Sequence, residues 1–326
     1  MITNIENRIK YPSQDLEWDV IHGLSKKLKR IPSVYLYDEE GSRLFDQITE
    51  LPEYYLTRSE IEILGAHGET IGKRVIAESG SREVEVIELG AGSGEKTELF
   101  LEALKPNFRE ICYTAIDISA SALKDLETRV GRTCISTRTI QADYVSGLNL
   151  LENRPGALRL FLFFGSNIGN YTRRGAGILL RRIRGYMEEG SYLLIGFDLK
   201  KDWRILLPAY SDSEGVTKSF NLNLLSRINR EMAGDFDIQN FDHLALYNPA
   251  RSAMESYLIC RKAAKVNLLN QGRSFTFKEQ EAIFTECSVK YDPSDIDELA
   301  HAGGYSVREN FFDDRHYFAE SLWRAI

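Results

Sequence analysis

Three stretches of this sequence combine side chains and backbone able to bind and activate a ligand. The first is Val86-Ile87-Glu88-Leu89-Gly90-Ala91-Gly92-Ser93-Gly94-Glu95-Lys96-Thr97. An apolar, β-prone run ends in an acidic residue and a glycine cluster, and a helix-forming stretch follows at once. Such a strand–turn–helix junction builds a ligand site at the carboxyl end of the first strand of an open α/β sheet. Glycines such as Gly90 and Gly92 let the backbone approach the ligand with no Cβ in the way. The second stretch holds two strand-ending carboxylates. Asp117 lies about twenty residues past the glycine turn, where an acidic residue accepts from ribose hydroxyls. The bland alternative is a helix N-cap, a job that Ser119 can do. Asp143, in Gln141-Ala142-Asp143-Tyr144, can accept an adenine amino group while Tyr144 flanks the ring; an ordinary strand-end turn aspartate is the alternative. The third stretch is Phe163-Phe164-Gly165-Ser166-Asn167-Ile168-Gly169-Asn170-Tyr171. Its Gly-x-x-x-Gly-Asn turn brings backbone and the Asn170 amide to the same edge. An amide both donates and accepts, so Asn170 can read an amine and a carboxylate together. Turn chemistry alone is the competing explanation.

The glycine spacing is G-x-G-x-G, not the G-x-G-x-x-G of dinucleotide folds. That points to S-adenosylmethionine (SAM), a nucleoside ligand with no pyrophosphate to seat on the helix, and it disfavours an NAD-dependent dehydrogenase.

These residues need a particular scaffold. Val84–Leu89, Tyr113–Ile118, Cys134–Ala142, Leu158–Phe164 and Ser191–Phe197 read as strands, the last closed by Asp198. Glu95–Leu104, Ser119–Val130 and Arg174–Glu189 read as the helices between them. This βαβ alternation predicts an α/β fold with a doubly wound parallel sheet. The rhythm breaks over residues 199–286, where Asn, Asp and Ser are enriched and Pro208, Gly215, Gly234 and Pro249 punctuate shorter apolar runs. It resumes with a helix at Ser294–His301 and strands at Tyr305–Phe311 and His316–Trp323, a closing antiparallel pair. Residues 1–57 stand outside the alternation and are expected to pack with the insertion. The expected division is a SAM-binding core of 58–198 and 287–326, carrying a mixed α+β substrate-binding domain of 1–57 and 199–286.

Composition narrows the partners. The chain has 326 residues and a net charge of -7, with no long basic run, so a nucleic-acid partner is not expected. Lys26-Lys27-Leu28-Lys29-Arg30 is the densest basic patch and reads as a solvated helix face. The four cysteines form no C-x-x-C pair and suggest neither a zinc site nor a disulfide framework. No apolar run reaches membrane-spanning length, and the amino terminus lacks a signal-peptide core. A cytoplasmic monomer acting on a small molecule without a metal is expected.

Tyr37-Asp38-Glu39-Glu40-Gly41-Ser42-Arg43-Leu44-Phe45-Asp46-Gln47-Ile48-Thr49-Glu50-Leu51-Pro52-Glu53-Tyr54-Tyr55-Leu56-Thr57-Arg58-Ser59-Glu60 closely resembles the signature of the histidine-specific SAM-dependent methyltransferase family. The likeness continues in order through Glu88–Thr97, Phe164–Asn170, Pro208–Tyr210, Ser213–Thr217, Phe220-Asn221 and Thr285–Lys290. It implies a Rossmann-like class I methyltransferase sheet and trimethylation of the α-amine of L-histidine to hercynine, a step of ergothioneine biosynthesis. It also implies roles by position. Gly90, Lys96, Asp117, Asp143 and Tyr144 would hold SAM. Asn170 and Tyr210 would hold the α-carboxylate, with Asn170 and the Gly165 backbone near the amine. Tyr37 would lie beside the reacting nitrogen, where it orients the amine or relays a proton. Tyr54, Glu286 and Ser288 would read the imidazole. A carboxylate accepts from a ring N–H, and a site built around that bond rejects rings lacking the donor; a strand glutamate paired with Lys or Arg is the alternative for Glu286. Where the family's histidine enzymes can carry a bulky apolar residue, Ser256 stands here, with Met254 two residues away, which is expected to widen the ring pocket. The rivals are the same reaction on another aromatic amino acid such as tryptophan, and a catalytically silent SAM-binding regulator.

Overall fold

The computed structural model describes residues 15–152 and 158–326. The chain opens with α1 (Leu16–Leu24), the short strand β1 (Lys29–Arg30), α2 (Glu39–Glu50) and the long α3 (Tyr55–Ser79). The alternating region follows: β2 (Glu83–Leu89), α4 (Glu95–Leu104), β3 (Glu110–Asp117), α5 (Ala120–Val130), β4 (Ser136–Gln141), α6 (Tyr144–Asn149), β5 (Leu158–Phe163), α7 (Arg173–Arg184) and β6 (Tyr192–Asp198). The insertion holds α8 (Trp203–Leu206), α9 (Val216–Met232) and strands β7 (Phe241–Asn248), β8 (Ala253–Cys260), β9 (Ala264–Leu268), β10 (Arg273–Phe277) and β11 (Ala282–Val289). The chain closes with α10 (Pro293–Gly303), β12 (Tyr305–Phe312) and β13 (Phe318–Ala325).

The main sheet has seven strands in the order β12-β13-β6-β5-β2-β3-β4. Strands β4, β3, β2, β5 and β6 run parallel, and β13 joins β6 antiparallel. This is the doubly wound sheet with a closing antiparallel pair that the alternation predicts. Strands β5 and β6 are buried along their whole length, as strands covered on both faces must be. On one face pack Ile63, Leu64 and Ile71 of α3 with Phe100 and Leu101 of α4. On the other pack Leu179, Leu180 and Ile183 of α7 with Ile296 and Leu299 of α10. The strand order reverses at β2, flanked by β3 and β5. A crevice opens at such a switch point, outside the carboxyl ends of the strands.

Several element ends depart from the sequence expectation for local reasons. The third strand starts at Ser136 rather than Cys134, because Cys134 is left-handed at φ 58°. The last begins at Phe318 rather than His316, which sits in a turn at φ 55°. Helix α7 stops at Arg184, where the Gly185 N–H turns back to the carbonyls of residues 181–183.

A second sheet, β1-β11-β8-β7, stands beside the first. Val20, Leu36 and Ile48 from the chain's start share one apolar cluster with Phe220, Leu224 and Ile228 of α9 and with Leu258 and Ile283 of that sheet. Residues 1–14 of the expected substrate domain lie outside the described residues. Its other expected limit, between 286 and 287, falls inside β11, so the chain leaves the small sheet only after Val289. No helix among the described residues is long and apolar enough to cross a membrane.

Candidate active site

The glycine loop leaves β2 with Gly90, Gly92 and Gly94 all left-handed, at φ 74°, 56° and 80°. That conformation is open to glycine and costly for other residues. A Cβ on Gly90 would stand 2.9 Å from the Tyr144 hydroxyl and 3.1 Å from Asn167 Nδ2, so the loop threads a gap that only a bare backbone fits. Glu88 lies buried beneath it, accepting from Thr97 Oγ1 at 2.7 Å and from the Tyr113 hydroxyl at 2.5 Å. The first bond pins β2 to the start of α4 and the second pins it to β3.

Asp117 faces this loop from the end of β3. Its Oδ2 accepts from the Gly92 N–H at 2.9 Å and its Oδ1 from the Ser119 N–H at 2.8 Å. Ser119 Oγ caps α5 through the Ala122 N–H, so the helix does not need Asp117 as its cap. Burial raises the Asp117 pKa, against the pull of the backbone donors. A carboxylate with about four lone-pair sites keeps acceptor capacity after two such bonds. Asp143 does have a capping duty: its Oδ1 accepts from the N–H groups of Val145 and Ser146 at the start of α6. Tyr144 packs edge-on to Phe163 at 5.3 Å. Lys96, one residue into α4, pairs with Glu60 Oε2 at 2.6 Å. These donors and acceptors, around a loop whose Gly92 faces open space, fit a nucleoside cofactor with a charged tail.

Beside the loop, a cavity brings together Tyr37, Tyr54, Gly165, Asn170, Tyr210, Glu286 and Ser288. Gly165 and Ser166 are consecutive left-handed residues at φ 75° and 53°, a strained turn of the kind stored at functional sites. Ser166 Oγ accepts from the Asp198 N–H at 2.9 Å, which holds the turn to the end of β6. The turn then carries Asn170 to the cavity wall. The Gly165 N–H is already donated to Glu60 Oε1 at 2.7 Å, so a ligand contact at this residue falls to its carbonyl.

Glu286 and Ser288 are alternate residues of β11, opposite Ser256 and Met254 of β8. The period of two puts both side chains on one face. Burial raises the Glu286 pKa to about 7, while the Lys290 charge pulls it down. Among the described residues no hydrogen bond reaches the Glu286 carboxylate. The ammonium of Lys290 is engaged elsewhere, pairing with Asp198 at 2.6 Å and donating to Tyr210 and Ser288. The alternative of a strand glutamate paired with a basic side chain is therefore not what the structure has. The Ser256 expectation is corrected: Ser256 is buried opposite Glu286, and neither it nor Met254 belongs to the cavity wall.

Tyr37 meets Phe45 and Phe220 edge-on, each at 5.5 Å, and Phe45 meets Tyr54 at 6.1 Å. Burial first, then the neighbouring Glu286, pushes the Tyr37 phenol well above its ordinary range. It therefore keeps its proton at neutral pH.

Sequence reasoning left three contributors without a role. Glu60, fully buried, joins Lys96 beside the glycine loop to Gly165 in the cavity wall. Asp198 and Lys290 form an ion pair with both side chains fully buried, below Tyr210 and Ser288. Glu60 and Lys290 each stand at the end of a quoted motif, which is the only signal they gave.

A carboxylate aimed at a glycine loop, at the switch point of a sheet with this strand order, defines a class I SAM-dependent methyltransferase. The family can be stated more narrowly: residues 16–325 match the family model described as "Histidine-specific methyltransferase, SAM-dependent", and the chain belongs to that family. It is 38% identical over 296 residues to "Histidine N-alpha-methyltransferase" of Mycobacterium tuberculosis, covering 90% of each chain. It is 28% identical over 295 residues to "Ergothioneine biosynthesis protein 1" of Schizosaccharomyces pombe, covering 87% of this chain and 38% of that longer protein. It is also 27% identical over 319 residues to "4-dimethylallyltryptophan N-methyltransferase easF" of Epichloe festucae var. lolii, covering 90% of each.

Proposed function

We propose that the protein methylates the α-amine of L-histidine with SAM, in successive transfers ending at hercynine, as a step of ergothioneine biosynthesis. The observation that carries the choice of ring is the unpaired Glu286 carboxylate in the cavity, with Ser288 beside it on the same strand face. An acceptor left unpaired in a dry pocket favours a ring that brings an N–H and penalises one that does not.

SAM, when bound, supplies an electrophilic methyl group on sulfonium. Gly90, Gly92, Lys96, Asp117, Asp143 and Tyr144 are the residues proposed to hold it. Asp117 offers a carboxylate held in place by two backbone donors, suited to a pair of ribose hydroxyls. The rest of the site binds, orients and desolvates the amino acid. Asn170 is assigned to the amine and the carboxylate, Tyr210 to the carboxylate, and the Gly165 carbonyl to the amine. The α-amine of a free amino acid titrates above the ~8 of a peptide amino terminus, so it is mostly protonated at neutral pH, and only its neutral form is nucleophilic. Tyr37 stays a neutral phenol, so it orients the amine or passes a proton on, and does not act as a standing base. Tyr54 closes the ring end with Phe45.

Residues 1–57 and 199–286 are proposed to work as one substrate unit on the core of 58–198 and 287–326. Their shared apolar cluster supports this. The proposed setting is a cytoplasmic monomer that needs no metal.

The test is to incubate the protein with SAM and each of the twenty amino acids and to read mass shifts. Histidine should gain up to three methyl groups. A native preference for tryptophan over histidine would sink the histidine assignment and leave methyl transfer intact.

A further inference from the structure

Lys290 follows the ring-reading strand and is fully buried. An ammonium has three protons, and this one meets three oxygens. It pairs with Asp198 Oδ2 at 2.6 Å and donates to Tyr210 Oη and to Ser288 Oγ, each at 2.8 Å. Asp198 is anchored in turn by the Tyr55 hydroxyl at 2.7 Å and by Lys201. Burial alone would raise the Asp198 pKa, but Lys201 and Lys290 outweigh it and hold the carboxyl below its ordinary range. The ion pair is thus a fixed base for two hydroxyls that belong to different parts of the proposed amino-acid site.

Those hydroxyls also touch each other, Tyr210 Oη donating to Ser288 Oγ at 2.8 Å. Each oxygen accepts from Lys290, and the two share one mutual bond. Two O–H protons serve the pair, and the mutual bond uses one of them. One proton therefore remains to meet a ligand. In the direction seen, it belongs to Ser288. With the mutual bond reversed, it belongs to Tyr210, and Ser288 turns a lone pair to the cavity instead.

We infer that Lys290 is a positioning residue that locks Tyr210 and Ser288 into a single hydrogen-bonded pair with one proton to offer, so that the amino-acid carboxylate and the side-chain ring are sensed jointly. A carboxylate that takes the Tyr210 proton obliges Ser288 to accept from the ring. The ring must then present one N–H to Ser288 and another to Glu286, which an imidazole does only as imidazolium, whereas a ligand without a carboxylate leaves Ser288 free to donate. This inference rests on the amino-acid methyltransferase reading. It adds a coupling between the two recognition elements that their separate assignments do not contain.

The test is a double-mutant cycle of Tyr210→Phe and Ser288→Ala, with Lys290→Met alongside, measured as KM and kcat on the amino acid that the native protein methylates. S-adenosylhomocysteine affinity by calorimetry serves as the check on folding. Lys290→Met should raise the amino-acid KM at least tenfold, change kcat less than threefold and leave S-adenosylhomocysteine binding intact. The KM penalties of the two hydroxyl variants should be non-additive by at least fivefold. Additive penalties would overturn the shared proton, even if Lys290→Met proves too unstable to assay. An unchanged KM in a folded Lys290→Met would overturn the positioning role. A native preference for another amino acid would count against histidine, and the same cycle on that amino acid would still decide for or against Lys290.

Discussion

Asp117 and Glu286 are both half-buried carboxylates facing one crevice, and they are held in opposite ways. Asp117 accepts two backbone N–H bonds from the loop and helix start beside it. Glu286 receives none from the described residues, and burial raises its pKa to about 7. The loop side of the crevice is thus organised before any ligand arrives, by one backbone amide from the glycine loop and one from the start of α5. The cavity wall that carries Glu286 keeps an unsatisfied acceptor. A group of the first kind contributes to folding and binding together. A group of the second kind makes the ligand-free protein less stable and gives selectivity in return, because only a matching ring relieves it.

The sharpest way to break this contrast is Glu286→Ala. Removing a buried, charged hydrogen bond of about 3 kcal/mol should cost histidine turnover about two orders of magnitude. Relative activity on tryptophan or phenylalanine should rise in competition assays. If histidine kcat/KM falls less than threefold, Glu286 is not the ring selector.

Asp117→Ala probes the other side. It should weaken S-adenosylhomocysteine binding by about 2–3 kcal/mol and lower the melting temperature as well, since the Gly92 and Ser119 amides lose their acceptor. Calorimetry on the folded variant checks both effects, and unchanged affinity would remove Asp117 from the ribose site.

The smallest effect carries the sign of the comparison. The Glu286 carboxyl titrates near 4.5 when unfolded and at about 7 in the fold. Its ionisation therefore costs nothing below pH 4.5 and costs most once the pH has risen through 7. Glu286→Gln should stabilise the ligand-free protein by roughly 2 kcal/mol at pH 8, and the gain should fade as the pH drops toward 4.5. Melting temperatures of native and variant protein at several pH values measure this. A variant less stable at pH 8 would mean that the carboxylate has a partner after all.

Much of the sheet was legible because its signals are local. The runs that became β5 and β6 are mostly apolar, β2 sets apolar residues among Glu83, Glu85 and Glu88, and glycine punctuates the turn after β2. The strand ends at Cys134 and His316 were not legible, since a left-handed non-glycine residue has no reliable mark in sequence. In the second sheet β7 was hidden by its mostly half-buried residues. In the site, Asp117 stood out by its distance from the glycine turn. Asp143 did not resolve, because a strand-end aspartate that caps a helix looks the same as one that meets a ligand. Asp198 and Lys290 were beyond reach, as their pairing depends on how β11 leaves its sheet to meet the end of β6. Tyr291 makes that junction, bridging to Leu199 and donating its N–H to the Asp198 carbonyl.

Strand β11 carries Glu286 and Ser288 at alternate positions, while the loop after β2 and the end of β3 carry none of the proposed ring contacts. The two proposed tasks therefore sit on separate elements of the fold. A lineage could rewrite which amino acid is accepted by exchanging two side chains on one strand, leaving the methyl-transfer edge as it was. Relatives of this chain include proteins named for histidine and for a prenylated tryptophan, and a division of labour between strand and loop is an architecture in which such divergence needs few steps.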